Sequence, residues 1–123
     1  MNKRVLIVDD IGFIVEFEEK VIQTLAKELG IDIQVDSANT VMDANQKISD
    51  NLYDAMVIDM NLPDGSGVDI AKMALEKSEE TRIAAVTIYP HKFEEHRAYF
   101  DAFFTKPIFP TSYKENLRAL LRV

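Results

Sequence analysis

The chain contains no cysteine, which excludes disulfides, thiolate metal sites and a thiol nucleophile, and fits a reducing compartment. It has no glycine-rich phosphate loop and no dinucleotide-binding fingerprint. Long apolar runs are missing too. The first, over residues 5–8, stops after four residues at Asp9, too short for a signal peptide or a membrane span, so the sequence predicts a cytoplasmic protein with no membrane partner. Positive charge is scarce: 14 Lys and Arg face 21 Asp and Glu, a net charge of −7. That balance disfavours direct binding to a nucleic-acid backbone and favours a cation, or a partner with a basic face.

No repeat, low-complexity tract or linker interrupts the 123 residues, of which 47% are hydrophobic and 28% charged. The expectation is one soluble globular domain over 1–123, long enough to bury a core without staples. Residues 5–8 read as a strand buried on both faces. Helical spacing follows, with Ile14, Phe17, Val21, Leu25 and Leu29 on one face and Gly30 as the stop. Residues 31–35 form a second predicted strand; Thr40 with Asp43 resembles a cap for a helix that buries Val41, Ala44 and Ile48. Residues 55–58 are a strand ending at Asp59, and residues 61–67 a loop. Ser66 with Asp69 is a cap for a helix carrying Ile70, Ala71, Ala74 and Leu75. Residues 83–88 are a fourth strand, 92–99 a weaker, more polar helix, and 102–105 a fifth strand. Ser112 with Glu115 is a capping box for a last helix whose core face is Tyr113, Leu117, Leu120 and Leu121. Strands alternating with helices in this way predict an α/β domain with a parallel sheet.

In such sheets chemistry collects outside the carboxyl ends of the strands. Here the first strand ends in Asp9-Asp10, the third in Asp59, the fourth in Thr87 and the fifth in Lys106-Pro107. Three carboxylates, a hydroxyl and an ammonium are thereby expected on one rim. Clustered carboxylates repel, and a hard divalent cation such as Mg²⁺, which takes oxygen ligands and keeps several waters, removes that conflict. Each motif alone is a common surface feature. Four at successive strand ends are not.

The order Val-Asp-Asp, Asp-x-x-Leu-Pro with a following glycine, Thr after an apolar strand, and Lys-Pro resembles the receiver domains of two-component response regulators, over essentially the whole chain. The resemblance implies a flavodoxin-like, doubly wound sheet of five parallel strands in the order 2-1-3-4-5. It implies a phosphorylation switch rather than an enzyme acting on a small substrate. Asp59 would be the phosphoacceptor, and Asp9, Asp10, Asp59 and the backbone carbonyl of Asn61 would bind Mg²⁺. Lys106, the Thr87 hydroxyl and the backbone N–H groups of Met60 and Ile88 would meet the phosphoryl group, Phe103 would be the switch aromatic, and Lys106-Pro107 would be cis. The implied partners are a histidine kinase or histidine phosphotransfer protein, a downstream effector on the face of the fourth helix, fifth strand and fifth helix, and a second copy in a homodimer.

Three features depart from the family's habit. Ile88 stands where Ala or Gly is usual, which narrows access to the phosphoryl group. Phe103 has no hydroxyl for the output surface to read. The stretch Ala98-Tyr99-Phe100-Asp101-Ala102 has no glycine to end the fourth helix. A phosphorylation-independent interaction module and the receiver half of a DNA-binding regulator are the competing readings. The chain's end one helix after Lys106-Pro107 points to a stand-alone, chemotaxis-regulator-like protein. His91 and His96 read as surface residues, and Phe13, Phe17, Phe93, Phe100 and Phe109 as core or interface.

Overall fold

The computed structural model describes residues 2–123; Met1, the first residue of the expected domain, lies outside them. The elements run β1 (Asn2–Val8), α1 (Gly12–Leu29), β2 (Asp32–Ala38), α2 (Val41–Asp50), β3 (Ala55–Asp59), β4 (Asn61–Leu62), β5 (Gly65–Ser66), α3 (Gly67–Lys77) and β6 (Arg82–Thr87). A 3₁₀ segment (Pro90–Tyr99), β7 (Ala102–Thr105) and α4 (Pro110–Leu121) complete the chain. Five strands form one parallel sheet in the order β2-β1-β3-β6-β7. Counting only sheet strands, this is the expected 2-1-3-4-5. The full numbering differs because the expected loop over 61–67 contains a small antiparallel hairpin, β4 with β5, outside the main sheet.

The central strands are apolar because both faces are covered. Leu6, Val8, Met56, Ile58, Ile83 and Ala85 point into a core shared with α2 and α3. Val5, Ile7, Val57, Ala84 and Val86 point into a second core with α1 and α4. Each large side chain buried there contributes about 1.5–3 kcal/mol. On α4 the buried face is Tyr113, Leu117, Leu120 and Leu121, as its spacing predicts. Thr40 caps α2 by accepting from Asp43 N–H (3.0 Å), Ser66 caps α3 by accepting from Val68 N–H (3.1 Å), and Gly30 closes α1 in the left-handed conformation at φ 65°.

Three expectations need correction. The fourth helix is a 3₁₀ run interrupted at Phe93, not an α-helix, and buries none of its residues. It lacks an apolar stripe, so nothing draws it into an α-helical face against the sheet. The last helix begins at Pro110, whose fixed φ suits the first helical position, so Ser112 lies inside the first turn and is no cap. The third correction concerns α1: its fully buried residues are Glu18, Ile22, Leu25 and Ala26, while Phe17 and Val21 are only half-buried. The stripe is turned by about one residue, and a carboxylate sits at its centre.

Gly67 sets how closely α3 approaches the end of β3. A Cβ there would lie 2.9 Å from both Ile58 Cγ2 and Met60 Sδ and 3.0 Å from the backbone oxygen of Asp59. Gly67→Ala is therefore expected to destabilise the domain by about 1–3 kcal/mol, the cost of overpacking a filled core. Urea unfolding of the two proteins measures it.

Candidate functional site

The parallel topology brings the ends of β1, β3, β6 and β7 to one edge, and with them Asp9, Asp10, Asp59, Thr87 and Lys106. Carboxylate oxygens of Asp9, Asp10 and Asp59 lie within 4.8 Å of one another. Asp9 and Asp59 are buried at 3% and 4% exposure; Asp10 is exposed. Lys106 Nζ stands 3.3 Å from Asp59 Oδ2. The Lys106-Pro107 bond is cis, as expected, and Lys106 N–H donates to the Thr87 carbonyl (3.0 Å).

Burial pushes the Asp9 carboxyl above its ordinary range. The Ile11 N–H, which donates to Asp9 Oδ1 (2.9 Å), opposes that shift, and the Asp59 charge adds to it. All three carboxyls offer hard oxygen donors, with one ammonium beside them. That donor set and spacing fit a hard divalent cation held by Asp9, Asp10 and Asp59.

The other expected residues divide. The buried Thr87 hydroxyl accepts from Tyr89 N–H (3.0 Å), which leaves its own proton free to donate toward the rim. Ile88 and Tyr89 stand at the rim, 50% and 59% exposed. Asn61 follows Asp59 by two residues, and its N–H donates to Asp59 Oδ1 (3.1 Å). Met60 is a correction: its N–H donates to the Val86 carbonyl (3.1 Å), continuing the ladder between β3 and β6, so it is not free for a phosphoryl oxygen. The amide directed at Asp59 is that of Asn61. Phe103 lies away from the rim on β7, half-buried, packed on Phe100 (5.6 Å between ring centroids) beneath the Arg97 guanidinium (5.4 Å). His91 is exposed, whereas His96 is partly covered beside Tyr99. Among the aromatics, Phe100 is core and Phe13 and Phe109 are exposed at 71% and 62%.

Two residues near the site escaped the sequence reading. Asp64, in the turn between β4 and β5, accepts from the Val41 (2.7 Å) and Met42 (3.1 Å) N–H groups at the start of α2. The Val41 bond is the main reason its carboxyl lies below the usual range. It ties the segment after Asp59 to a second helix, a cap supplied from 23 residues away and invisible to local pattern. The other is Glu18, buried on α1. A stripe drawn through Ile22, Leu25 and Ala26 would have included it.

A doubly wound α/β domain that gathers three carboxylates, a hydroxyl and an ammonium at the carboxyl edge of its sheet is a signalling module of the two-component type, not a classical enzyme. The chain belongs to the response regulator receiver domain family, whose model matches residues 5–118. It is similar to the response regulator protein PilR of Pseudomonas aeruginosa, 29% identical over 127 residues covering 99% of this chain and 27% of that protein. It is also similar to hybrid signal transduction histidine kinase L of Dictyostelium discoideum, 28% identical over 123 residues covering 94% of this chain and 7% of that one. The chain thus spans a small part of the curated relatives it matches. Among solved structures it resembles the response regulator protein TrrA from Thermotoga maritima in complex with Mg²⁺ and BeF. That likeness has a TM-score of 0.79 and 28% identity, over 97% of this chain and 99% of that one. Among the described residues, no helix is long and apolar enough to cross a membrane.

Proposed function

We propose that the domain is a phosphorylation switch in which Asp59 accepts a phosphoryl group from a phosphohistidine on a histidine kinase or phosphotransfer protein. The observation that carries this reading is the contact between Lys106 and Asp59 beside two further carboxylates at one strand edge. An oxygen of the Asp59 carboxylate attacks phosphorus, the phosphorus–nitrogen bond to the donor imidazole breaks, and the imidazole leaves with the electron pair. Asp9, Asp10, Asp59 and the Asn61 carbonyl would hold Mg²⁺, which supplies positive charge against the transferring phosphoryl oxygens. Lys106 pairs with one phosphoryl oxygen, and the Thr87 hydroxyl with the Ile88 N–H meets another. The Asn61 N–H takes the place expected of Met60. The modified site is then read on the face of the 3₁₀ segment, β7 and α4, where Phe103 lies.

Intact mass after incubation with acetyl phosphate and Mg²⁺ tests the switch. A single phosphoryl adduct is expected; none forming with either acetyl phosphate or a phosphohistidine donor would leave a phosphorylation-independent interaction module.

Ile88 gates the site in this reading. Its branched side chain has little χ1 freedom and stands half exposed at the rim. Ile88→Ala is expected to speed adduct formation from acetyl phosphate severalfold and to shorten the adduct's lifetime, while its backbone N–H remains. Rates of gain and loss, followed by mass in the parent, Ile88→Ala and Tyr89→Ala, assign the gate. A change in the Tyr89 variant alone would move the role to Tyr89.

A further inference from the structure

Asn61 stands at a junction. Its N–H donates to Asp59 Oδ1 (3.1 Å), and it opens the β4–β5 hairpin, where it pairs with Ser66. That hairpin holds two helices. Ser66 caps α3 by accepting from Val68 N–H (3.1 Å), and Asp64, in the turn, accepts from Val41 (2.7 Å) and Met42 (3.1 Å) N–H at the start of α2. Gly65 seats the turn against α2: a Cβ there would lie 3.2 Å from Val41 Cγ2. The far end of α2 is held from the same side. Lys77 on α3 donates to the Ile48, Ser49 and Asn51 carbonyls, acceptors that the end of a helix leaves unsatisfied. An anion at the first turn and a cation at the last both suit the helix dipole. α2 is thus fastened at both ends by side chains that follow Asp59 in the chain, and it shares a buried core with α3. The hairpin itself has no fully buried strand residue, so polar ties carry much of its placement.

The ties at Asp59 and at Asp64 act in series. A cation or a phosphoryl group on the Asp59 oxygens changes the acceptor that Asn61 N–H sees, and the hairpin that Asn61 begins follows. We propose that the β4–β5 hairpin is a latch that carries the state of Asp59 to the start of α2, with Asp64 as the positioning residue that engages that helix. The route is separate from the face of the 3₁₀ segment, β7 and α4, because α2 follows β2 at the opposite edge of the sheet from β7. Its use in signalling rests on the reading of the rim as a phosphorylation site; the mechanical link does not.

Backbone amide spectra of the parent, Asp59→Ala, Asp64→Ala and the double variant, recorded without metal, test the link. Asp59→Ala removes the acceptor of Asn61 N–H and is expected to move the Val41 and Met42 amide resonances. In the Asp64→Ala background the same change is expected to move them at least about twofold less, since the coupling runs through the hairpin. An equal effect in both backgrounds, the result of a simple helix cap or of a charge felt through space, overturns the proposal. So do Val41 and Met42 resonances that Asp59→Ala leaves in place. Should Asp64→Ala not fold, Asp64→Asn, which keeps one acceptor oxygen, takes its place in the same comparison. Beryllofluoride with Mg²⁺ then supplies a phosphoryl mimic. In the parent the amides of Val41, Met42, Thr87 and Lys106 are expected to move, and in Asp64→Ala only those of Thr87 and Lys106. If none of the four moved in the parent, the reading of the rim would fall, while the metal-free comparison would still decide the latch.

Discussion

Asp59→Asn is expected to abolish the phosphoryl adduct formed with acetyl phosphate and Mg²⁺, while the protein stays folded with an equal or higher unfolding midpoint. The loss follows from chemistry: an amide has no anionic oxygen to attack phosphorus. The stability follows from the site. Asp59 is buried at 4% exposure, with Asp9 and Asp10 oxygens within 4.8 Å, and its charge is one of the causes that push the Asp9 carboxyl upward. Removing one of three mutually repelling carboxylates relieves that conflict. The cost is the partner of Lys106, whose side chain is 27% exposed and can be rehydrated. Asparagine can still accept the Asn61 N–H bond that Asp59 receives (3.1 Å), so the turn into β4 survives. Intact mass and thermal unfolding check both halves. An adduct of undiminished yield in the variant would place the main acceptor elsewhere.

The second large effect is on the pH dependence of stability. Burial first, and the Asp9 charge next, raise the Glu18 carboxyl from 4.5 to about 8, while Lys106 and the Tyr113 hydroxyl oppose the shift. Between those two values the folded protein holds a proton that the unfolded chain releases. Stability contributed by this group is therefore fully present below about pH 4.5 and is lost as pH rises through about 8. Asp9, also raised by burial, acts in the same direction. The swing assigned to Glu18 is on the order of a few kcal/mol. Glu18→Gln cannot ionise and is expected to lose that slope, so its advantage over the parent grows from pH 5.5 to pH 9. Urea unfolding of both proteins across this range, with chelator present, isolates the effect, since the other titrating groups are common to both. Parallel stability curves would show that Glu18 ionises in the folded protein as it does in water.

Most of the scaffold was legible in residue order because its determinants are local. The apolar stretches, the Gly30 stop, the Thr40 cap and the α4 stripe each depend on neighbours within a turn or two. The rim was legible for a related reason: in a parallel sheet, residues that end different strands share an edge, so Asp9, Asp10, Asp59, Thr87 and Lys106 could be assembled from their positions after each apolar run. Elements whose form depends on distant packing were not legible. The polar segment over residues 92–99 carries helical residues but no fully buried one; only Phe93 and Tyr99 pack partly against the core, and it stays a 3₁₀ run. The Met60 amide was expected at the rim on the family resemblance alone, yet pairing between β3 and β6 had already committed it to Val86. Asp64 caps a helix that begins 23 residues earlier, a bond made only when the β4–β5 hairpin lies against α2. Glu18 shows the difference most clearly. By composition it is one of 21 acidic residues and reads as exposed. Only the rotation of α1 against α4 turns it inward, because a helix buries whichever face its neighbour covers.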